Sequence, residues 1–89
     1  DLARHRGRRT RLAGWMITHK PIRTNRGEAM EFVSLEDETG VFEATFFPDT
    51  YRRYAHLMLT AGPYLVEGRV DDDFGHCTLS VERMKLICP

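Results

Sequence analysis

Cysteine, tryptophan and long apolar runs are all scarce in this sequence of 89 residues. The two cysteines, Cys77 and Cys88, lack the Cys-x-x-Cys spacing of a zinc or redox site, and the four histidines are scattered over separate segments. No apolar run approaches the roughly 18 residues of a membrane span. The sequence also lacks a nucleophile–base set, paired carboxylates and a phosphate-binding glycine loop. We therefore expect neither catalysis by this domain nor a metal, a cofactor or a membrane partner.

Three features bear on where the chain works. Two unpaired cysteines suit a reducing compartment, so we expect a cytoplasmic location. The first residues are rich in arginine and have no apolar h-region, so we expect no secretory signal among them. The chain begins at Asp1 rather than Met, and we expect it to be a piece of a longer protein.

The net charge of zero hides a strong asymmetry along the chain. Residues 1–26 carry eight basic side chains against Asp1 alone, a net +7, whereas residues 27–89 carry five basic and twelve acidic side chains, a net −7. This asymmetry predicts one surface that faces a polyanion. Residues 1–9 lack periodicity, so we expect a flexible basic arm or linker there and a single domain over residues 10–89. The alternative is an arm that only solubilises an acidic body.

Alternating apolar residues predict five strands, and one segment has helical spacing. The strands cover about residues 10–18, 30–37, 42–47, 66–70 and 78–87. Residues 19–29 form a long connection with a turn at 25–27, Asp37–Gly40 a hairpin turn, and the acidic segment 71–76 a loop. Pro48 fits the first turn of a helix, whose apolar face is formed by Tyr51, Tyr54, Ala55 and Met58.

The order β-β-β-α-β-β predicts an all-β fold. This order of elements is that of the OB-fold, a five-stranded Greek-key barrel with one helix between strands three and four. OB-folds bind oligonucleotides or oligosaccharides. An SH3-like barrel is the alternative, but it usually lacks a full helix at this position. Within the predicted barrel, the side chains expected to point inward are Val33, Leu35, Phe42, Ala44 and Phe46. Leu12, Gly14 and Met16 share one face of the first strand, and Val66, Gly68 and Val70 share one face of the fourth.

Several motifs in combination resemble one known domain. They are Thr10-Arg11-Leu12-Ala13-Gly14-Trp15, Leu35-Glu36-Asp37-Glu38-Thr39-Gly40 and Phe46-Phe47-Pro48-Asp49-Thr50-Tyr51. The chain resembles the C-terminal OB domain of the bacterial DNA polymerase III alpha subunit over residues 10–86. The resemblance leaves open the replicative and the error-prone branch, although Phe46-Phe47-Pro48 favours the replicative one.

The resemblance implies a role in DNA replication. In that family the polymerase aspartates lie outside the OB domain, so this chain would be a non-catalytic module of a DNA-directed DNA polymerase. Its expected partners are single-stranded DNA, other domains of the alpha subunit and other replisome subunits, and we expect the isolated domain to be monomeric. The arginine-rich start would be a linker from a preceding helix-hairpin-helix region.

An OB barrel binds single strands across its second and third strands, between two connecting loops. Phosphates require cations and bases require flat aromatic faces, which gives weak, salt-sensitive and sequence-tolerant binding. If about four cations meet phosphates, log K falls by roughly three units per tenfold rise in salt. The candidate nucleic-acid-binding residues are Arg11, Trp15, Lys20, Arg23, Arg26, Phe32, Thr45, Phe47 and Arg69.

Each aromatic candidate has a structural alternative. Trp15 would pack against the N-terminal arm or a neighbouring domain, Phe47 under the helix, and Phe32 in the core if strand two has a bulge. The three aspartates at 71–73 would bind a metal or, as we favour, form a solvated loop that repels phosphate and adds little to DNA affinity. For the whole chain, a tRNA-anticodon-binding OB module and a protein-docking OB domain with a covered groove are the alternatives.

Overall fold

The computed structural model describes residues 7–59, 62–73 and 76–87, and their strands form a closed barrel. The elements are β1 (Arg9–Arg23), β2 (Ala29–Asp37), β3 (Gly40–Phe46), α1 (Pro48–Tyr54), a 3-10 helix (Ala55–Leu59), β4 (Tyr64–Asp73) and β5 (His76–Leu86). The strand order is β1-β2-β3-β5-β4, and β4 pairs with β1 to close the barrel. All pairs are antiparallel except β3 with β5. The predicted five-stranded OB-fold, with its helix between strands three and four, is confirmed.

The barrel interior contains the alternate residues that the sequence predicts. Val33 and Leu35 of β2 are each 1% exposed, and Ala44 and Phe46 of β3 have the same exposure. In β4 and β5 the corresponding buried residues are Val66, Val70, Leu79 and Val81. Because the chain is short, each of these side chains is a large part of the core, and truncation of a buried Leu or Phe to Ala costs about 2–5 kcal/mol.

The helix covers one end of the barrel. Pro48 occupies its first turn, where a missing N–H costs nothing, and the Tyr51 N–H donates to the Phe47 carbonyl at 2.8 Å. Tyr51 and Tyr54, with Met58 of the 3-10 helix, are partly buried against the core. The predicted helix start and apolar face are confirmed, although the second half of the segment is 3-10 rather than α.

The first strand is longer than predicted. Residues 19–23, expected in a long connection, continue β1 and pair with residues 29–33 of β2. Only residues 24–28 form the turn, with Gly27 at φ 82° and its N–H donating to the Thr24 carbonyl at 2.9 Å. The prediction of a connection over 19–29 is therefore wrong, whereas its turn at 25–27 is confirmed.

A bulge divides β1 into two halves with opposite alternation. The register with β2 shifts between Met16 and Thr18, so Ile17 is the extra residue. Before the bulge Trp15 points outward, and after it Thr18 and Lys20 do, as their pairing with exposed or half-buried residues of β2 shows. The bulge lies just after the point where β1 changes its partner, from β4 up to Gly14 to β2 from Trp15.

The acidic segment after residue 70 is also strand rather than loop. Asp71 pairs with Thr78 and Asp72 with Cys77, so β4 extends to Asp73 and β5 begins at His76. The predicted loop over 71–76 is therefore wrong in the described residues, and its middle, 74–75, lies outside them. Residues 1–6 of the predicted arm also lie outside the described residues, as does Cys88.

Candidate nucleic-acid interface

One row of outward-facing side chains crosses every strand of the barrel. In the register, Lys20 of β1 is beside Phe32 of β2, which is beside Thr45 of β3. Thr45 is beside Ser80 of β5, and Ser80 is beside Arg69 of β4. Because side chains alternate along a strand and neighbouring strands share a pleat, these five side chains all point to the outside of the closed barrel, in a row that runs around it. We call them the cross-barrel row.

The row has cations at its ends and an aromatic ring near its middle. Lys20 and Arg69 are exposed, and neither forms an ion pair with a carboxylate of the described residues. Phe32 is 42% exposed, so β2 carries it on the outside of the barrel and not in the core. Thr45 is only 8% exposed, which makes it the floor of the row between Phe32 and Ser80.

Phe47 extends the aromatic surface at the end of β3. Its backbone is extended, with φ −67° and ψ 164°, so the alternation of β3 continues and Phe47 shares the face of Thr45. Its ring is 50% exposed and is therefore not buried under the helix. The sequence thus brings two accessible rings, Phe32 and Phe47, to the same face as the row.

An acidic row runs parallel to the cross-barrel row on one side. Ser34, Glu43, Thr78 and Asp71 are register partners across β2, β3, β5 and β4. The Ser34 hydroxyl donates to Glu43 Oε2 at 2.9 Å, and the Ser80 hydroxyl donates to the Asp71 carboxylate. A polyanion on the face is therefore repelled from this side and confined to the side of the row nearer Phe47.

The cations of the β1–β2 hairpin have different positions. Arg23 lies three residues beyond Lys20, on the opposite side of the hairpin by alternation, and its Nη1 donates to the Gly27 carbonyl at 2.8 Å. Arg26 is exposed at the turn itself, where its backbone N–H donates to the Thr24 hydroxyl at 3.3 Å. The hairpin therefore presents Lys20 on the face of the row and Arg26 at its tip.

Arg11 lies on a separate part of the barrel. It belongs to the first half of β1, which pairs with β4, and its Nε is 3.5 Å from Glu67 Oε2. Arg83 Nη1 lies 4.0 Å from the other oxygen of Glu67. Nine residues along β1 separate Arg11 from Lys20, so the structure does not bring these two predicted site residues together.

Trp15 is also remote from the row. It is 56% exposed on the outer face of β1, and its register partner in β2 is Glu36. The ring therefore stands beside the acidic β2–β3 turn instead of the cationic hairpin. Of the nine sequence-predicted residues, the row and its flanks collect Lys20, Arg26, Phe32, Thr45, Phe47 and Arg69, and exclude Arg11, Trp15 and Arg23.

Two features of the site carry no sequence signal. Ser80 joins the row only through the β3–β5 and β4–β5 registers, which residue patterns do not reveal. Glu31 is 3% exposed, with its Oε2 2.8 Å from His19 Nδ1, and it lies behind Phe32 at the same end of the barrel. A buried carboxylate needs such a partner. Burial of a neutral polar group without a hydrogen bond costs about 1–3 kcal/mol, and burial of an unpaired charge costs more.

In the part of the chain that the structure describes, no three His, Cys, Asp or Glu side chains are grouped to hold a metal ion. No helix in this part is long and apolar enough to span a bilayer. Cys77 is a free, half-buried cysteine.

Residues 10–87 match the tRNA anti-codon family model, described as an OB-fold nucleic acid binding domain. The chain is 40% identical over 87 residues to an error-prone DNA polymerase of Symbiobacterium thermophilum. The aligned region covers 94% of this chain and 8% of that protein. It is 41% identical over 61 residues to a DNA polymerase III subunit alpha of Halalkalibacterium halodurans, covering 68% of the chain and 6% of the relative. The chain thus spans a small part of these relatives.

Solved structures agree on the fold. The asparaginyl-tRNA synthetase of Pyrococcus horikoshii superposes with a TM-score of 0.72 at 24% identity, over 94% of this chain and 20% of that one. The second OB-fold domain of replication protein A from Methanococcus maripaludis superposes with a TM-score of 0.55 at 17% identity. This match covers 93% of this chain and 85% of that one. The similar polymerases are enzymes, but this chain corresponds only to their OB domain, which is not itself catalytic. The chain belongs to the family of OB-fold nucleic acid binding domains, in the form found in DNA polymerase III alpha subunits and error-prone DNA polymerases.

Proposed function

We propose that this chain is the module of a bacterial DNA polymerase III alpha-type polymerase that holds single-stranded template DNA during replication. The observation that carries the proposal is the cross-barrel row, which has an exposed cation at each end and Phe32 between them. No other surface of the described residues combines unpaired cations with exposed rings in one register.

The row suits a single strand better than a duplex. Phe32 and Phe47 each offer an exposed ring on which a base stacks, at about 1–3 kcal/mol per base and with little sequence preference. Lys20 and Arg69 contact backbone phosphates at the two ends of the row, and Arg26 contacts them at the hairpin tip. Thr45 packs beneath the stacked bases. Binding is weak because the face offers few cations and a parallel acidic row.

Residues 7–9, the described part of the basic arm, lie beside Arg69 at one end of the row. The Gly7 N–H donates to the Val70 carbonyl at 2.8 Å, and Arg9 is the register partner of Arg69, so the chain enters the barrel beside this end of the row. Residues 1–9 are then a linker from the preceding part of a DNA-directed DNA polymerase. Its other domains and other replisome subunits are the protein partners, the compartment is the cytoplasm, and the isolated domain is monomeric.

Titration of the 89-residue chain with fluorescently labelled oligo-dT tests the proposal. Phe32→Ala removes one stacking ring, so the affinity should fall by about 5- to 150-fold, the equivalent of the ~1–3 kcal/mol of one stacked base. Lys20→Ala should weaken binding by a smaller factor and reduce its salt dependence. Arg53→Ala is the matched control and should bind like the wild type. It removes an exposed cation of the last helical turn, next to Tyr54, which lines a pocket with Arg11 and with no residue of the row.

Competitors distinguish the other functions. Duplex DNA should compete poorly, because its bases are not available to Phe32 and Phe47. A hairpin RNA that displaced oligo-dT at far lower concentration would favour a tRNA-anticodon-binding module, in line with the fold shared with the synthetase. Absence of any oligo-dT binding, or equal binding by wild type and Phe32→Ala, would contradict the proposal and favour a protein-docking domain.

A further inference from the structure

A second surface of the barrel carries a pocket that the cross-barrel row does not use. The pocket has a volume of about 420 Å³ and lies where the first half of β1 meets the β2–β3 turn and the ends of β4 and β5. Its lining residues are Ala13, Gly14, Trp15, Asp37, Glu38, Thr39, Pro63 and Ile87.

One wall of the pocket is apolar. Trp15 is 56% exposed, although an indole ring that meets no partner leaves a large apolar area in water. Pro63 and Ile87 also line the pocket, and the Ile87 N–H donates to the Pro63 carbonyl at 2.9 Å. An exposed aromatic ring at the mouth of a pocket marks an interaction site more often than a solitary apolar residue does.

The other wall is acidic. Asp37 and Glu38 line the pocket, and exposed Glu36 is the register partner of Trp15. No lysine or arginine of the described residues lines it. Hydrogen bonds from the Thr39 hydroxyl and backbone N–H lower the pKa of Asp37, so this carboxylate is charged at neutral pH. The wall therefore repels phosphate and attracts cations.

We propose that this pocket docks a basic segment of a protein partner, with an arginine or lysine side chain lying on the Trp15 indole and its charge facing Glu36 and Glu38. A cation over the face of a tryptophan is attracted by the ring quadrupole. The aliphatic stem of the same side chain suits the apolar wall at Pro63 and Ile87. The pocket and the row then serve different ligands, because their charges are opposite.

Trp15 itself reports occupancy, because it is the single tryptophan of the chain. The experiment follows its emission during titration with the blocked peptide Gly-Arg-Leu-Arg-Gly and, as a probe of opposite charge, Gly-Glu-Leu-Glu-Gly. A saturable change is expected with the arginine peptide alone. Glu36→Gln combined with Glu38→Gln should weaken that binding about fivefold, the effect of two exposed charges. Glu28→Gln, an exposed acid in the β1–β2 turn, is the control and should bind like the wild type.

The outcomes separate this inference from the single-strand proposal. Lys20→Ala with Phe32→Ala should leave peptide binding unchanged while it weakens binding of oligo-dT. The inference is overturned by equal responses to the two peptides, by the absence of a saturable response, or by unchanged binding in the Glu36→Gln/Glu38→Gln variant. An emission change with oligo-dT that persists in the Lys20→Ala/Phe32→Ala variant would assign Trp15 to DNA and overturn it as well.

Discussion

At the scale of single residues, Gly68 is the described glycine at which an added side chain would be most crowded. A Cβ at this residue would lie 2.0 Å from the Ser80 carbonyl oxygen, whereas one at Gly14 would lie 2.7 Å from the Glu36 carbonyl oxygen. Both obstacles are backbone atoms of a neighbouring strand, so they cannot swing away as a flexible side chain would. Gly68 also adjoins the register shift of β4 against β5. The close approach of the strands at Gly68 therefore sets the backbone position of the next residue, Arg69.

The loss in the free energy of unfolding when each glycine is replaced by alanine should follow this crowding. We predict that Gly68→Ala lowers the free energy of unfolding by about 3 kcal/mol or more, the upper range for overpacking. Gly14→Ala should cost less, because its clash is smaller. Gly27→Ala meets no atom within 4 Å, and the only cost is its φ of 82°, about 1 kcal/mol. Urea denaturation measures all three, and an equal loss at Gly68 and Gly27 would contradict the steric argument.

Thr45 shows what residue patterns predict and what they do not. Alternation along β3 correctly assigns it to the face opposite Phe46 and Ala44. Only 8% of Thr45 is exposed, because Phe32 on β2 and Ser80 on β5 lie on either side of it. Ser80 is 35 residues away in the chain. A pattern gives the direction of a side chain, whereas its exposure depends on which strands lie on either side.

At the scale of elements, the β2–β3 hairpin is fixed by one carboxylate. Asp37 Oδ1 accepts from the Thr39 N–H at 2.8 Å, the Thr39 hydroxyl at 2.8 Å and the Gly40 N–H at 3.0 Å. These bonds favour the charged form, and the Thr39 hydroxyl is the largest cause of the lowered pKa of Asp37. A group with a lowered pKa in the folded state stabilises the fold above its ordinary value and loses this contribution as the pH falls through the folded value.

We predict that the hairpin contributes an acid-sensitive part of the stability. The loss should begin near the ordinary value of 3.8 and be completed below it. Asp37→Asn keeps an acceptor oxygen but has no charge to titrate, so its stability should vary less than that of the wild type across this interval. Asp37→Ala loses the bonds at every pH, by about 1 kcal/mol. Urea denaturation at pH 7 and at pH 3 measures both effects, and parallel pH dependence in Asp37→Asn and wild type would contradict the assignment.

The errors in predicting the strands have physical causes. The bulge at Ile17 reverses the alternation of β1, so residues 19–23 no longer follow the pattern of residues 10–16 and their strand is not visible in the sequence. Asp71 and Asp72 resemble a loop because both are acidic and exposed, yet backbone pairing with Thr78 and Cys77 needs no apolar side chain. The strand cores and the helix start were predictable because burial and proline geometry leave local signals.

At the scale of the whole molecule, barrel closure determines which charges act together. The row leads from Lys20 through four other strands and returns to β1 at Arg9, eleven positions earlier, because the strands are staggered. Residues close in sequence are therefore separated, as Arg11 and Lys20 are, and distant ones such as Phe32 and Arg69 share a face. The sequence predicts the candidate residues from their chemistry, but their grouping follows from the register.

We predict a salt dependence that follows from this grouping. With Lys20, Arg26 and Arg69 on phosphates, log K for oligo-dT should fall with log salt at a slope of about −2, or roughly 0.7 per contact. Arg26→Ala removes one contact, so the slope should be about −1.4. Arg53→Ala removes one exposed cation of the helix and serves as the control of equal charge, for which the slope should stay near −2. Fluorescence anisotropy at four salt concentrations measures the three slopes. If the hairpin variant kept the wild-type slope, the turn would not touch the phosphates, and the cations at Lys20 and Arg69 would have to account for the binding alone.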